Sequence, residues 1–206
     1  CAWCDSAFAW KPDENTIVYE EKALANKLVK LCKDHNTYSI ILTGGNPCLY
    51  DFGNIIDLLH KENIKVGVET QGSILPDWLH WVDSIVISPK PPSSNQEDVF
   101  DKVVSYVKKF PRKITIKIPI FNEEDFNFAL RYYDELEDLL ITNGDNVKLY
   151  LSIGNTDTSE IDVKSVSNRI LKDYKNVIEM VANSRMKRVY ILPQVHTLVW
   201  GNKQGV

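Results

Sequence analysis

Apolar residues recur along the chain in two alternating rhythms. Between Glu20 and His35, Ala23, Leu24, Leu28, Leu31 and Cys32 fall on one face of a helix, and residues 39–42, Ser-Ile-Ile-Leu, follow as a short buried strand. The pairing then repeats. A helix around 55–59 precedes a strand at 65–68, and a short helix at 78–82 precedes a strand at 84–87. Helical spacing over 99–110, 126–140 and 166–181 alternates with strands at 114–120, 147–153 and 189–192. Strands separated by helices, with no Asn-Gly hairpin between them, predict parallel pairing and an α/β fold of about six strands. An open doubly wound sheet and an incomplete barrel both fit that count, and periodicity does not choose between them. The Pro91-Pro92-Ser93-Ser94-Asn95 stretch is too short to divide domains, so residues 1–206 are expected to form one domain.

Composition narrows the function. With 44% apolar and 25% charged residues, the chain can bury one full core. A net charge of -4 lacks the basic excess of a protein that grips nucleic-acid phosphates, so no nucleic-acid partner is expected. No apolar run approaches the roughly 20 residues of a membrane helix, and no secretory pattern is present; a cytoplasmic protein with no membrane partner is the expectation. Four cysteines in this length do not make a disulfide scaffold. Cys32, in a helical stretch, and Cys48, after a turn, read as small buried residues.

In parallel α/β folds ligands bind at the carboxyl ends of the strands, where loops converge and helix N-termini present free N–H groups. The unusual residues lie there. Strand 39–42 runs into Thr43-Gly44-Gly45-Asn46-Pro47, strand 65–68 into Glu69-Thr70-Gln71-Gly72, and strand 84–87 into Ser88-Pro89-Lys90-Pro91-Pro92. Later strands lead to Ser152, Gly154 and Asn155, and to Pro193, Gln194 and His196. Singly, each has a bland reading: a tight turn for the glycines, a solvated Lys90, a hydrogen-bonding Glu69, a structural His196, a Trp200 that plugs the base of a barrel. Jointly, five polar turns on successive strand ends describe one polar pocket, suited to a ligand rich in carboxylate, amide and ribose groups. Cys1-Ala2-Trp3-Cys4 admits three chemistries: a thioredoxin-like dithiol, half of a zinc site, or part of an iron-sulfur cluster. Spacing alone does not decide, although Cys32 and Cys48 supply no second zinc pair and neither of the first two readings explains the glycine turn.

These segments resemble a known family. Cys1-Ala2-Trp3-Cys4-Asp5 resembles the second half of the radical S-adenosylmethionine (SAM) signature Cys-x-x-x-Cys-x-aromatic-Cys, and Thr43-Gly44-Gly45-Asn46-Pro47 resembles that superfamily's Gly-Gly-Glu-Pro turn. Cys4-Asp5-Ser6-Ala7-Phe8, Glu69-Thr70-Gln71-Gly72, Ser88 to Ser94, Pro193-Gln194-x-His196 and Trp200 to Val206 together resemble the 7-carboxy-7-deazaguanine synthases. The resemblance spans the whole chain. It implies an incomplete parallel β/α barrel of the radical SAM type and a lyase that converts 6-carboxy-5,6,7,8-tetrahydropterin to 7-carboxy-7-deazaguanine with loss of ammonia, toward queuosine and related 7-deazapurines. It also implies a 4Fe-4S cluster held by three cysteines, SAM that chelates the open iron and is regenerated, Mg²⁺, a flavodoxin-type electron donor and a homodimer.

By the same resemblance, Cys1 and Cys4 are cluster ligands, and Trp3 and Asp5 lie against SAM. Gly45, Gly72, Ser88, Pro89, Lys90, Ser152 and Asn155 line the SAM side. Ser6 reaches Mg²⁺, Thr70 meets the pterin, and the carboxylate of Val206 folds over the substrate. The first signature cysteine falls four positions before Cys1, so an upstream segment carrying it, an arginine and a glycine-rich stretch is expected to complete the site. Asn46 stands in place of the usual acidic residue, which throws the contact with the SAM amino group onto backbone carbonyls, and Ser152 stands where many relatives carry Gln. The resemblance assigns no role to Glu69, Gln194 or His196. Two competing expectations remain: a different radical SAM enzyme of the activating type, and a non-catalytic thiol or zinc module.

Overall fold

The computed structural model describes residues 1–4, 16–141 and 147–203. The chain forms two compact units, Ser6–Ile87 and a second made of Cys1–Asp5 with Ser88–Val206. We call them the glycine-turn unit and the cysteine unit.

The glycine-turn unit holds strands β1 (Ser39–Leu42), β2 (Lys65–Thr70) and β3 (Ser84–Ile87) and helices α1 (Glu21–Asp34) and α2 (Gly53–Lys61). β2 pairs in parallel with β1, Ser39 opposite Lys65, and with β3, Gly67 opposite Ser84. Ile55, Ile56 and Leu59 of α2 are buried, as are Val66 and Val68 of β2. Their helical and alternating spacings leave one apolar face on each element, and burying those faces together is what drives the helix onto the sheet.

The cysteine unit holds β4 (Ile114–Ile120), β5 (Val147–Ile153) and β6 (Val189–Leu192), with α3 (Phe100–Lys109), α4 (Glu123–Ile141), α5 (Val163–Ala182) and α6 (Val195–Trp200). β4 and β5 pair in parallel from Ile114 opposite Val147 to Ile120 opposite Ile153, and β6 joins the far edge of β5. Ile114, Ile116, Ile118 and Ile120 alternate in β4 with half-buried Thr115, Lys117 and Pro119, and β5 repeats the pattern with Val147, Leu149, Leu151 and Ile153 buried. The buried face takes up Phe126, Ala129, Tyr133, Leu136 and Leu140 of α4 and Val166, Ile170 and Val177 of α5. A parallel strand covered on both faces reads as a continuous apolar run. Here the alternation leaves one face polar and half-buried, the face on which Ser152 sits and on which Tyr150 stacks on Tyr190 at 4.6 Å. In neither unit does the sheet close on itself.

All six strands lie where the periodicity predicts them, but β2 runs on to Thr70, so Glu69 and Thr70 are strand residues rather than turn residues. α4 begins three residues earlier than its apolar spacing indicates, because Glu123, Glu124 and Asp125 are favoured at the positive end of a helix. The short helix near Trp78 is a 3₁₀ turn over Asp77–His80. α6, with 6 residues, is too short for a helical period to announce it. Among the described residues no helix is long and apolar enough to cross a membrane.

Candidate functional site

In the cysteine unit, the amide of Cys4 donates to the carbonyl of Cys1 at 3.2 Å, closing a turn that carries both cysteines. Cys1 is exposed, Cys4 is half-buried, and neither is in a disulfide. The turn is stitched to the segment after β3. The Ala2 amide donates to the Ser94 carbonyl at 3.0 Å, and the Trp3 indole N–H donates to the Ser93 hydroxyl at 3.0 Å. The Trp3 ring packs on Phe121, centroids 4.5 Å apart. Phe121 in turn lies across the end of β5, and only glycine fits beneath it: a Cβ on Gly154 would meet the Phe121 ring at 2.4 Å.

Lys90 and Ser88 join this group. The Lys90 ammonium donates to the Ser88 hydroxyl at 3.0 Å and lies 5.9 Å from the centroid of the Trp3 ring, while Ser88 and Pro89 are buried. A cation is thus held beside the aromatic residue of the cysteine turn. Among the described residues no cluster of three or more His, Cys, Asp or Glu side chains could hold a metal ion. The cysteine pair puts two soft thiols on an accessible turn, a donor type that fits iron-sulfur ligation.

Asn155 is only 6% exposed, and its side chain is already engaged. Its carbonyl oxygen accepts from Arg169 at 3.0 Å, and its amide donates to Asn202 at 2.6 Å. Asn202 donates onward to the carbonyls of Asp157 and Glu160. This network ties the segment after α6 to the end of β5. The Asn155 side chain thus anchors that segment.

In the glycine-turn unit, Gly44 has φ 111°, a conformation that favours glycine, so the double glycine does make a tight turn. Gly45 is exposed and Gly72 buried. Asn46 is the hub between them. Its Oδ1 accepts from the Thr70 hydroxyl at 2.9 Å and the Cys48 amide at 3.2 Å, and its Nδ2 donates to the Ser73 hydroxyl at 3.3 Å. The Thr70 oxygen accepts the Gly72 amide at 3.2 Å. Thr70 is 2% exposed, and its hydroxyl proton is committed to Asn46. Glu69 lies half-buried in β2, and His196 is exposed on α6. The Trp200 side chain is half-exposed, and the buried Gln194 Oε1 has no hydrogen-bond partner among the described residues.

Asp5, Ser6 and Val206 lie outside the described residues. Cys32 and Cys48 are 3% and 4% exposed, as their sequence context predicts. Burial pushes the Cys48 thiol up, outweighing a hydrogen bond with Thr70 that lowers it, so it remains a protonated, unreactive thiol at neutral pH. Brief anaerobic alkylation of metal-free protein, read by peptide mass mapping, is therefore expected to label Cys1 and Cys4 well before Cys32 and Cys48. Equal labelling would remove the distinction between ligand and core cysteines.

Sequence reasoning missed Asn46 as a hub, the Arg169–Asn155–Asn202 network, and Ser93, Phe121 and Asp125 around Trp3. Asn202 had a signal, since it sits inside the terminal motif; Asp125 looked like one more acid at a helix start.

No protein-family model matches the chain. A 7-carboxy-7-deazaguanine synthase of Bacillus subtilis (strain 168) is 34% identical over 217 residues, covering 100% of this chain and 85% of that protein. The crystal structure of QueE from Escherichia coli superposes with a TM-score of 0.61 at 18% identity, over 94% of this chain and 79% of that one. Streptococcus suis SuiB, solved bound to S-adenosylmethionine, shares the fold at a TM-score of 0.58 and 16% identity, over 87% of this chain and 44% of its own. With the cysteine turn and the glycine turn built as described, and with identity of this order from end to end, the chain belongs to the 7-carboxy-7-deazaguanine synthase family of radical SAM enzymes.

Proposed function

We propose that this chain converts 6-carboxy-5,6,7,8-tetrahydropterin to 7-carboxy-7-deazaguanine and ammonia in 7-deazapurine biosynthesis. The observation that carries the reading is the accessible Cys1–Cys4 turn, with Lys90 held over its tryptophan, in a chain whose whole length aligns with a synthase of that name. Substrate and products balance in atoms and electrons, so a hydrogen removed at the start can be returned at the end. A 4Fe-4S cluster with SAM on its open iron supplies the one-electron chemistry when bound.

The chain's own residues bind and orient. Cys1 and Cys4 supply two thiolates. Lys90, steadied by Ser88 and Trp3, neutralises an anionic group of SAM. Gly45 and Gly72 offer backbone where a side chain would intrude, and their spacing is kept by Asn46 and Thr70. Ser152 and Asn155 belong to the SAM side, and Thr70 accepts from the pterin. Asp5 lies against SAM, Ser6 provides an oxygen to Mg²⁺, and Val206 reaches the substrate. A flavodoxin-type donor and a homodimeric state complete the proposal.

Anaerobic reconstitution of the intact protein tests it. About four irons and four sulfides per chain are expected, with conversion of the carboxytetrahydropterin and release of ammonia once SAM, Mg²⁺ and a reductant are present. One zinc and no iron would overturn the reading in favour of a zinc module. A loaded cluster without turnover of the pterin would overturn the substrate.

A further inference from the structure

Asp125, in the first turn of α4, is 0% exposed, and a buried carboxylate is costly unless donors surround it. Three do. Its Oδ1 accepts the Ser93 amide at 3.1 Å, and its Oδ2 accepts the Ser93 hydroxyl at 2.7 Å and the Phe121 amide at 3.0 Å. The backbone amides can only donate, so the carboxylate acts as acceptor. A serine hydroxyl has one proton, and Asp125 takes it. The Ser93 lone pairs are thereby turned toward the Trp3 indole N–H, which donates to them at 3.0 Å. Through its other bond, Asp125 fixes the backbone of Phe121, the residue on which the Trp3 ring packs. One carboxylate thus holds two of the groups that Trp3 rests on, its hydrogen-bond acceptor and its stacking ring, and Trp3 lies between Cys1 and Cys4.

We propose that Asp125, acting through Ser93 and Phe121, is a positioning residue that sets the geometry of the cysteine turn for the iron-sulfur cluster. It touches neither the thiols nor a ligand. The inference rests on the reading of Cys1 and Cys4 as cluster ligands. A buried carboxylate whose three described hydrogen bonds all go to the supports of one tryptophan is more than a helix-end acid, which would be solvated. Groups in the second layer around a metal site typically set about 10- to 100-fold of its affinity.

The test uses intact protein reconstituted anaerobically, with Ser93→Ala, Ser93→Thr, Asp125→Asn and Cys4→Ala compared with the unmodified chain. The readouts are iron per chain, the chelator concentration that strips half of it, the electron paramagnetic resonance spectrum of the reduced cluster with and without SAM, and the melting of the metal-free protein. Ser93→Ala and Asp125→Asn are expected to lower the stripping concentration about tenfold and to broaden the spectrum. Ser93→Thr, which keeps the hydroxyl, is expected to restore both. Iron retention and spectra like the unmodified chain in Ser93→Ala would overturn the proposal, as would failure of Ser93→Thr to rescue a defect. If Asp125→Asn does not fold, Ser93→Ala decides, since it removes the same link from a half-buried site. Full iron in Cys4→Ala would instead overturn the ligand reading on which the proposal stands.

Discussion

Cys4→Ala is expected to yield folded protein that retains no 4Fe-4S cluster and shows no turnover of the pterin. The substitution removes one thiolate but leaves the Cys4 amide free to donate to Cys1, so the turn itself survives. Its side chain is half-buried rather than in the core, and the volume lost is one sulfur, so the melting temperature of the metal-free protein should move little. Among the described residues no group of three or more His, Cys, Asp or Glu is assembled to take over its ligation. Cys48→Ala is the contrast. That thiol is buried and held protonated, so its loss should cost about 1 kcal/mol of packing and no iron. Iron analysis and activity on the same preparations check both, and iron retained by Cys4→Ala would remove that residue from the site.

The second large effect belongs to Asn46. Asn46→Ala deprives two buried donors, the Thr70 hydroxyl and the Cys48 amide, of their shared acceptor. Each such orphaned group costs about 1–3 kcal/mol. The sum, about 2–6 kcal/mol, corresponds to a drop in Tm of roughly 4–24 °C for a chain of this size. SAM affinity should fall with it, since Gly45 adjoins Asn46 and Gly72 hangs from Thr70. Asn46→Asp keeps an acceptor for both donors and gives up only the bond to Ser73, so it should recover most of the melting temperature. Thermal melts and anaerobic SAM titration distinguish the two variants. An Asn46→Ala protein that melts like the parent would mean that the two turns do not depend on this side chain.

An amide at position 46 therefore has a structural reading. An amide both accepts and donates, so Asn46 can hold Thr70, Cys48 and Ser73 at once. A carboxylate could not donate to Ser73. Residue 46 is thereby part of the scaffold beneath the glycine turn.

Much of the fold was legible because strand and helix leave local periodicities. Ile114, Ile116, Ile118 and Ile120 announce β4 without reference to any other part of the chain, and the breaks at Thr43-Gly44-Gly45 and Pro89 mark where strands end. The candidate chemistry was legible for a similar reason: Cys1, Trp3 and Cys4 lie within one turn, so their spacing is their geometry. What eluded that reading were contacts between distant residues. Trp3 and Ser93 are 90 positions apart, and Asn155 and Asn202 are 47 apart. No local pattern distinguishes Asp125, which is buried and triply bonded, from Glu123 and Glu124, which are exposed on the same helix turn.

Residue order was thus sufficient for the kinds of element, their parallel pairing and the pair of thiols, since each follows from spacings of a few residues. Which side chains are free to meet a ligand is a different matter. Asn155, Thr70 and Asn46 look alike in one dimension, as polar residues just beyond a strand. Their hydrogen bonds are spent on partners that folding alone brings within 3.3 Å, and that commitment makes them supports of the site as much as contacts for its ligands.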